Sequence, residues 1–156
     1  MLVFSMKWTK KKILVAVGVL VVAVLAIVTI AGGFKRDEQR LVTTQEERLA
    51  FLSSLGWEVD PESEKEKVVI IPESFDEIFE SYNELQKKAG FDLSSYKGKT
   101  VKKYSYRISN FPSAQKDDII KLDLLVLDGR VIGGDIYSPK LDGFIFGLED
   151  IRNVLD

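Results

Sequence analysis

Nineteen consecutive residues, Ile13 to Ala31 (ILVAVGVLVVAVLAIVTIA), carry no charge, and that run constrains the chain more than any other feature. A helix rises about 1.5 Å per residue, so the run reaches roughly 28 Å, close to the hydrocarbon thickness of a bilayer. In water a string this rich in β-branched residues is a poor helix former; in lipid, with no water to satisfy the backbone, it must be helical. Lys7, Lys10, Lys11 and Lys12 precede the run, whereas Lys35, Arg36 and Arg40 follow it mixed with Asp37 and Glu38. Lys and Arg bias a flank toward the cytoplasm, and a long following domain crosses largely regardless of its own charge. The expected arrangement is a cytoplasmic stub at 1–12, a transmembrane helix at 13–31 seated in the lipid bilayer, a linker at 32–42, and an extracytoplasmic domain at 43–156. A cleaved signal peptide is the alternative. Ala31 and Gly33 would then occupy −3 and −1 of a cut after Gly33, releasing a secreted form of the domain. The length of the run favours the uncleaved anchor, because signal-peptide apolar regions usually span about 7–15 residues.

Charge and the missing residue types bound the chemistry. From Leu41 to Asp156 there are 22 acids and 15 bases, so this part carries −7 at neutral pH. An acidic domain argues against nucleic acid and against anionic lipid head groups as partners. The chain has no cysteine, so it holds by packing without disulfides and takes no thiol-linked lipid. It has no histidine either, which excludes Ser-His-Asp and Cys-His nucleophiles, the usual His/Cys zinc sites and His-based pH switches. Neither GxxxxGK[ST] nor GxGxxG occurs, so no phosphate loop is present.

Local patterns predict the elements of the outer domain. In TTQEERLAFLSSLG, Thr43 with Glu46 and Thr44 with Glu47 form overlapping capping boxes. Leu49, Leu52 and Leu55 follow at near-helical spacing before a stopping Gly56, which predicts a helix over 44–55. Residues 57–59 read as a short strand ended by Pro61, ESEKEK as a solvated loop, and VVII (68–71) as a buried strand stopped by Pro72. A second helix begins at the Ser74/Glu77 box and stops at Gly90. Phe75, Ile78, Phe79, Tyr82, Leu85 and Ala89 form its apolar stripe, and Phe79 is expected to be almost fully buried against strands from 100–137. TVKKYSYRIS (100–109) alternates, with Tyr104, Tyr106 and Ile108 on one face. IIKLDLLVL (119–127) and RVIGGDIY (130–137) flank Asp128-Gly129, the residue pair of a type I′ hairpin. A further strand is expected at 144–146, with a short helix after Gly147. The fold class is α+β, with two helices packed on one face of an antiparallel sheet.

The stretches LAFLSSLGWEVD, IPESFDEIFESYNELQKKAGFDLSSYKGKTVKKYSYRI and LLVLDGRVIGGDIYSPKLDGF together cover most of 44–147. Through GW-E-VDP, GFDLS-YKGK and DGRVIGGD this chain resembles domain-of-unknown-function family 4830. The resemblance implies a small, membrane-tethered domain of Gram-positive, Clostridia-like bacteria. It transfers no activity, substrate or site residue.

Among constellations that carry chemistry, Asp128, Asp135 and Asp142 recur every seven residues among glycines. They are weak candidates for an oxygen-ligand Ca²⁺ site, since the EF-hand pattern is absent and Asp-Gly is common in tight turns. Gly133-Gly134 within a strand points to a β-bulge, or to the close approach of a ligand backbone. Trp57, Tyr96, Tyr104, Tyr106, Phe111, Tyr137, Phe144 and Phe146 serve either as core or as the walls of a sugar or peptide groove. The expected function is a non-enzymatic, membrane-anchored binding module for an envelope polymer, a peptide or a protein partner, without cofactor. The alternative is a small carboxylate-dependent hydrolase of envelope glycan, since paired acids need no histidine. A sheet edge or a shallow aromatic groove favours binding; a deep cleft with two isolated, opposed carboxylates favours hydrolysis.

Overall fold

Five consecutive strands pair only with their sequence neighbours, so one antiparallel sheet of order β1-β2-β3-β4-β5 organises the domain. The computed structural model describes residues 41–111, 119–149 and 151. The chain divides into two units, 1–39 and Arg40–Asp156, and the first lies outside the described residues, as does the helix expected at 13–31. Among the described residues no helix is long and apolar enough to cross a membrane. In chain order the elements are α1 (Gln45–Ser54), β1 (Val59–Ile70), α2 (Glu77–Lys88), a 3₁₀ turn (Leu93–Tyr96), β2 (Thr100–Ile108), β3 (Lys121–Leu127), β4 (Arg130–Tyr137) and β5 (Ile145–Gly147). Of the helix expected after Gly147 only Ile151 is described.

The first helix forms as its caps dictate. Thr44 accepts from the Glu47 N–H while the Glu47 carboxylate accepts from the Thr43 and Thr44 N–H groups, and Gly56 follows at φ +82°. The hairpin at Asp128-Gly129 takes φ of 50° and 76°, the two positive values that a type I′ turn requires. The linker expected at 32–42 ends two residues sooner than its sequence suggests. Leu41 bridges to Arg130, and Val42, 1% exposed, donates its N–H to Gly129 O.

Residues 57–71 depart furthest from expectation. The short strand, the ESEKEK loop and the buried VVII strand are one twelve-residue strand, β1, which continues through Pro61. A proline is tolerated there because β1 lies at the sheet edge and its register slips between Asp60 and Lys65. Edge position also leaves Val68 and Ile70 exposed, at 59% and 67%. Within the presumed loop, Glu64 is held by an interior partner. Arg48, 5% exposed, grips it with Nη2 at 2.9 and 3.0 Å, donates Nε–H to the Tyr106 hydroxyl at 3.0 Å, and lies 3.8 Å above the Tyr104 ring. Tyr106 donates its own hydroxyl to Glu64. A buried cation thus has every partner it needs, and it ties α1 to both β1 and β2.

The helices lie on opposite faces of the sheet, not on one. Alternation along β2 and β3 sends Tyr104, Tyr106, Ile108, Leu122, Leu124 and Val126 to the face covered by α1, where they pack with Phe51, Leu52 and Trp57. Val101 and Leu125 point to the other face, under Phe75, Phe79 and Tyr82 of the α2 region. The α1 face of the central strands is apolar along its length and the other face only around Val101 and Leu125, and each apolar part is covered.

Helix α2 also sits differently from its apolar stripe. It begins at Asp76, which accepts the Phe79 N–H at 2.8 Å, and not at Ser74. Its fully buried residues are Asn83 and Gln86, whereas Ile78 is 81% exposed and Phe79 only half-buried. Polar bonds set this rotation. The Asn83 amide accepts from the Leu93 N–H and donates to Asp92, and the Gln86 amide makes two bonds to Gly134, donating to its carbonyl and accepting from its N–H, each at 2.9 Å.

Candidate functional site

Helix α2 covers only part of its sheet face, and the sequence of the face changes where the cover stops. Beneath the helix lie Val69, Val101, Leu125 and Leu127. Beyond it the register sets two polar rows across the strands. One row runs Lys65–Ser105–Asp123–Asp135, the next Arg107–Lys121–Tyr137. Asp123 and Asp135 are therefore directly opposed on neighbouring strands, with side chains on the same face.

A β-bulge brings that pair together. Leu127↔Arg130 and Val126↔Val131 follow the hairpin register, but Leu125 pairs with Gly133, leaving Ile132 as the extra residue. With no bulge, Asp135 would lie opposite Leu122 on the apolar face. Gly133 and Gly134 are required here by close approach. A Cβ on Gly133 would stand 2.7 Å from Gln86 Oε1, and one on Gly134 would stand 2.6 Å from the Asp123 carbonyl and 2.9 Å from Leu148. What approaches the glycines is the protein's own helix and C-terminal segment, so the sequence alternatives resolve to a bulge with internal contacts.

The acids sit at the floor of an open cleft of about 560 Å³ lined by Tyr82, Lys103, Tyr137, Lys140, Leu141 and Phe144 among others. Asp123 is 3% exposed and receives Lys103 Nζ on Oδ2 at 2.5 Å. Its Oδ1 is, among the described residues, the buried side-chain oxygen or nitrogen without a hydrogen-bond partner. Asp135, 7% exposed, accepts the Tyr82 hydroxyl on Oδ1 at 2.6 Å. Burial pushes the Asp135 carboxyl up to about 6, the Asp123 charge adds to the rise, and the Tyr82 bond and Lys103 oppose it. Burial, reinforced by Asp135, pushes the Tyr82 hydroxyl far above its ordinary range, so it stays a donor. The Lys103 ammonium is raised: burial works against its charge, and the bond to Asp123 with the nearby carboxylate outweighs that. The site therefore offers a buried acceptor needing a donor, a carboxyl that exchanges its proton near pH 6, and a fixed cation beside them.

Of the three aspartates considered for a metal, only Asp135 lies in this cleft. Asp128 occupies the β3–β4 turn, and Asp142 an exposed turn after β4. No group of three or more His, Cys, Asp or Glu side chains among the described residues is arranged to hold a metal ion. Of the eight aromatic candidates, Tyr137 and Phe144 line the cleft. Trp57, Tyr104 and Tyr106 are core, and Tyr96 packs against the α2-side cluster. Phe111 stands between Trp57 and Phe144 with ring centroids at 6.3 and 5.0 Å, and Phe146 is 40% exposed beside Phe144. The sequence reading missed Tyr82, Lys103 and Asp123 as site residues. Asp123 did leave a signal, as the single charge within the apolar run LDLLVL.

A family model described as a domain of unknown function, DUF4830, matches residues 51–136, more than half of the chain. The matched span includes Tyr82, Lys103, Asp123 and Asp135. No curated protein and no solved structure matches the chain.

Proposed function

This chain belongs to the DUF4830 family, and from its own residues we propose that it is a non-enzymatic binding module tethered outside the cell by a membrane-spanning helix at 13–31. Support for the tether is the uncharged run with four lysines before it, followed by a spacer that ends where Leu41 joins the sheet. Protease treatment of intact, wall-stripped cells is expected to remove the domain. Survival of the domain there, with digestion after lysis, would reverse the orientation. Recovery from the medium of a form beginning at Phe34 would establish signal cleavage instead.

One observation carries the binding reading: the unpartnered Asp123 Oδ1 at the floor of an open cleft. A buried acceptor left unmet costs about 1–3 kcal/mol, which a ligand hydroxyl or amine recovers. Tyr137 and Phe144 supply ring faces beside it, the combination that sugars and peptides use. The full chain is expected to co-sediment with insoluble cell-envelope material. Asp123→Asn, which changes the charge but not the size of that side chain, should weaken the association.

The directly opposed Asp123 and Asp135 favour a second reading, a carboxylate-dependent glycan hydrolase. Asp135 would hold the proton of a general acid, with Asp123 beside it paired to Lys103. Their placement weighs against it, because the two acids stand side by side on one sheet face, whereas such hydrolysis needs carboxyls that flank the scissile bond. In the sedimentation experiment the binding reading expects no release of reducing ends. Release that disappears in both Asp123→Asn and Asp135→Asn would establish the hydrolase.

A further inference from the structure

The uncovered half of the α2-side face breaks a rule of sheet construction twice. Lys67 lies directly opposite Lys103, and Arg107 directly opposite Lys121, with Lys65 in the row between. Like charges directly opposite on neighbouring strands repel and destabilise a sheet. Asp123 offsets Lys103. Lys65, Lys67, Arg107 and Lys121 take part in none of the ion pairs formed among the described residues. The acids near them are Asp60, opposite Arg107, and Glu62, which lines the same groove as Lys65, Arg107 and Lys121. In a domain carrying −7, this concentration of base on one surface runs against the overall charge. With Asp123 on Lys103 and Asp60 opposite Arg107, the bases left over are Lys65, Lys67 and Lys121, and a local rule broken with incomplete compensation marks a functional surface.

We propose that this sheet face binds a hydroxyl-bearing polyanion, a glycan chain substituted with phosphate, sulfate or carboxylate groups. The proposal rests on the binding reading above and names the class of its ligand. Anionic groups of the chain lie over Lys65, Arg107 and Lys121, where they relieve the base–base repulsion. Hydroxyl groups of the same chain reach the adjoining cleft, where Asp123 Oδ1 accepts a hydrogen bond and Tyr137 offers its ring. The two demands, anions on the strands and neutral donors at the buried acid, are met together by a substituted glycan. An acidic peptide meets the first better than the second.

The test uses the full chain in nanodiscs of zwitterionic phosphatidylcholine, titrated with dextran sulfate, unsubstituted dextran and poly-L-glutamate. Dextran sulfate is expected to bind most tightly and to weaken as salt rises. Arg107→Gln with Lys121→Gln should reduce that affinity about tenfold, on the scale of two exposed charge contacts. Lys87→Gln with Lys88→Gln removes the same charge from the exposed end of α2 and should change affinity less than about twofold. The first pair of substitutions removes the Arg107–Lys121 repulsion together with the attraction of Asp60 for Arg107, so its thermal midpoint should stay close to that of the wild type, which excludes misfolding as the cause. Equal losses in the two double variants would reduce the effect to net charge and overturn the proposal. Binding of poly-L-glutamate as tight as dextran sulfate would replace the glycan with an acidic peptide. Failure of dextran sulfate to bind, with Asp123-dependent attachment to envelope material intact, would overturn the polyanion while leaving the binding module standing.

Discussion

Trp57→Ala is expected to destabilise the domain by about 3–5 kcal/mol, the usual cost of emptying a large buried aromatic site. Trp57 is 1% exposed and packs in the cluster formed by α1 and the sheet. Its indole N–H donates to the Glu149 carbonyl at 2.7 Å, 92 residues away in sequence, so it also holds the C-terminal segment. Its backbone N–H bonds to Leu52 O at 3.0 Å and closes the turn after α1. Truncation therefore leaves a cavity and an unpaired carbonyl together. With total stabilities of about 5–15 kcal/mol for small domains, chemical denaturation should show a large share of the fold's stability lost. A change below about 1 kcal/mol would mean that the site collapses around the smaller side chain.

Asp135→Asn is expected to stabilise the domain at neutral pH and to flatten its dependence on pH. In the folded chain Asp135 keeps its proton up to about 6, against an ordinary value of 3.8. Between those values the folded state binds more protons than the unfolded one, so stability falls as pH rises. The contribution of this group is fully present below about pH 4 and is lost through about pH 6, a total of about 2–3 kcal/mol. Asparagine keeps the shape of the side chain and the acceptor for the Tyr82 hydroxyl, and it does not titrate. Denaturation midpoints of wild type should fall from pH 4 to pH 7 and those of the variant should not. An identical fall in both would place the titrating group elsewhere.

A site that destabilises its own fold at neutral pH is consistent with a role in binding, because such strain is tolerated where a ligand repays it. The same reasoning links the cleft to the basic rows beside it. Both lie where α2 leaves the face open.

Much of the secondary structure was legible in the residues. The Thr44/Glu47 box, Gly56, the alternation of Tyr104, Tyr106 and Ile108, and Asp128-Gly129 each act over a few residues, and each formed as read. Local signals succeed because capping bonds and positive φ angles depend on near neighbours alone. The misreadings share an opposite cause. Nothing near ESEKEK in sequence reveals that Glu64 meets Arg48 from α1, and a charged segment without that partner would be a loop. Likewise the apolar stripe of α2 packs on the core through Phe75, Phe79, Tyr82 and Ala89 but leaves Ile78 exposed, because Gln86 finds Gly134 on β4, 48 residues on, and turns the helix.

The family and the antiparallel α+β class followed from the sequence by itself, as did the absence of every histidine- or cysteine-based chemistry. Strand register and the side of the sheet on which each helix lies were decided only in three dimensions. One extra residue, Ile132, turns Asp135 from the apolar face to the face of Asp123, since side chains alternate with a period of two. Composition could not foresee that step, nor that Lys67, Lys103, Arg107 and Lys121 would meet across strands separated by loops and a helix. Residue types and short spacings carry the local free energies of turns and caps. The meeting of distant side chains depends on the register and packing of the whole sheet.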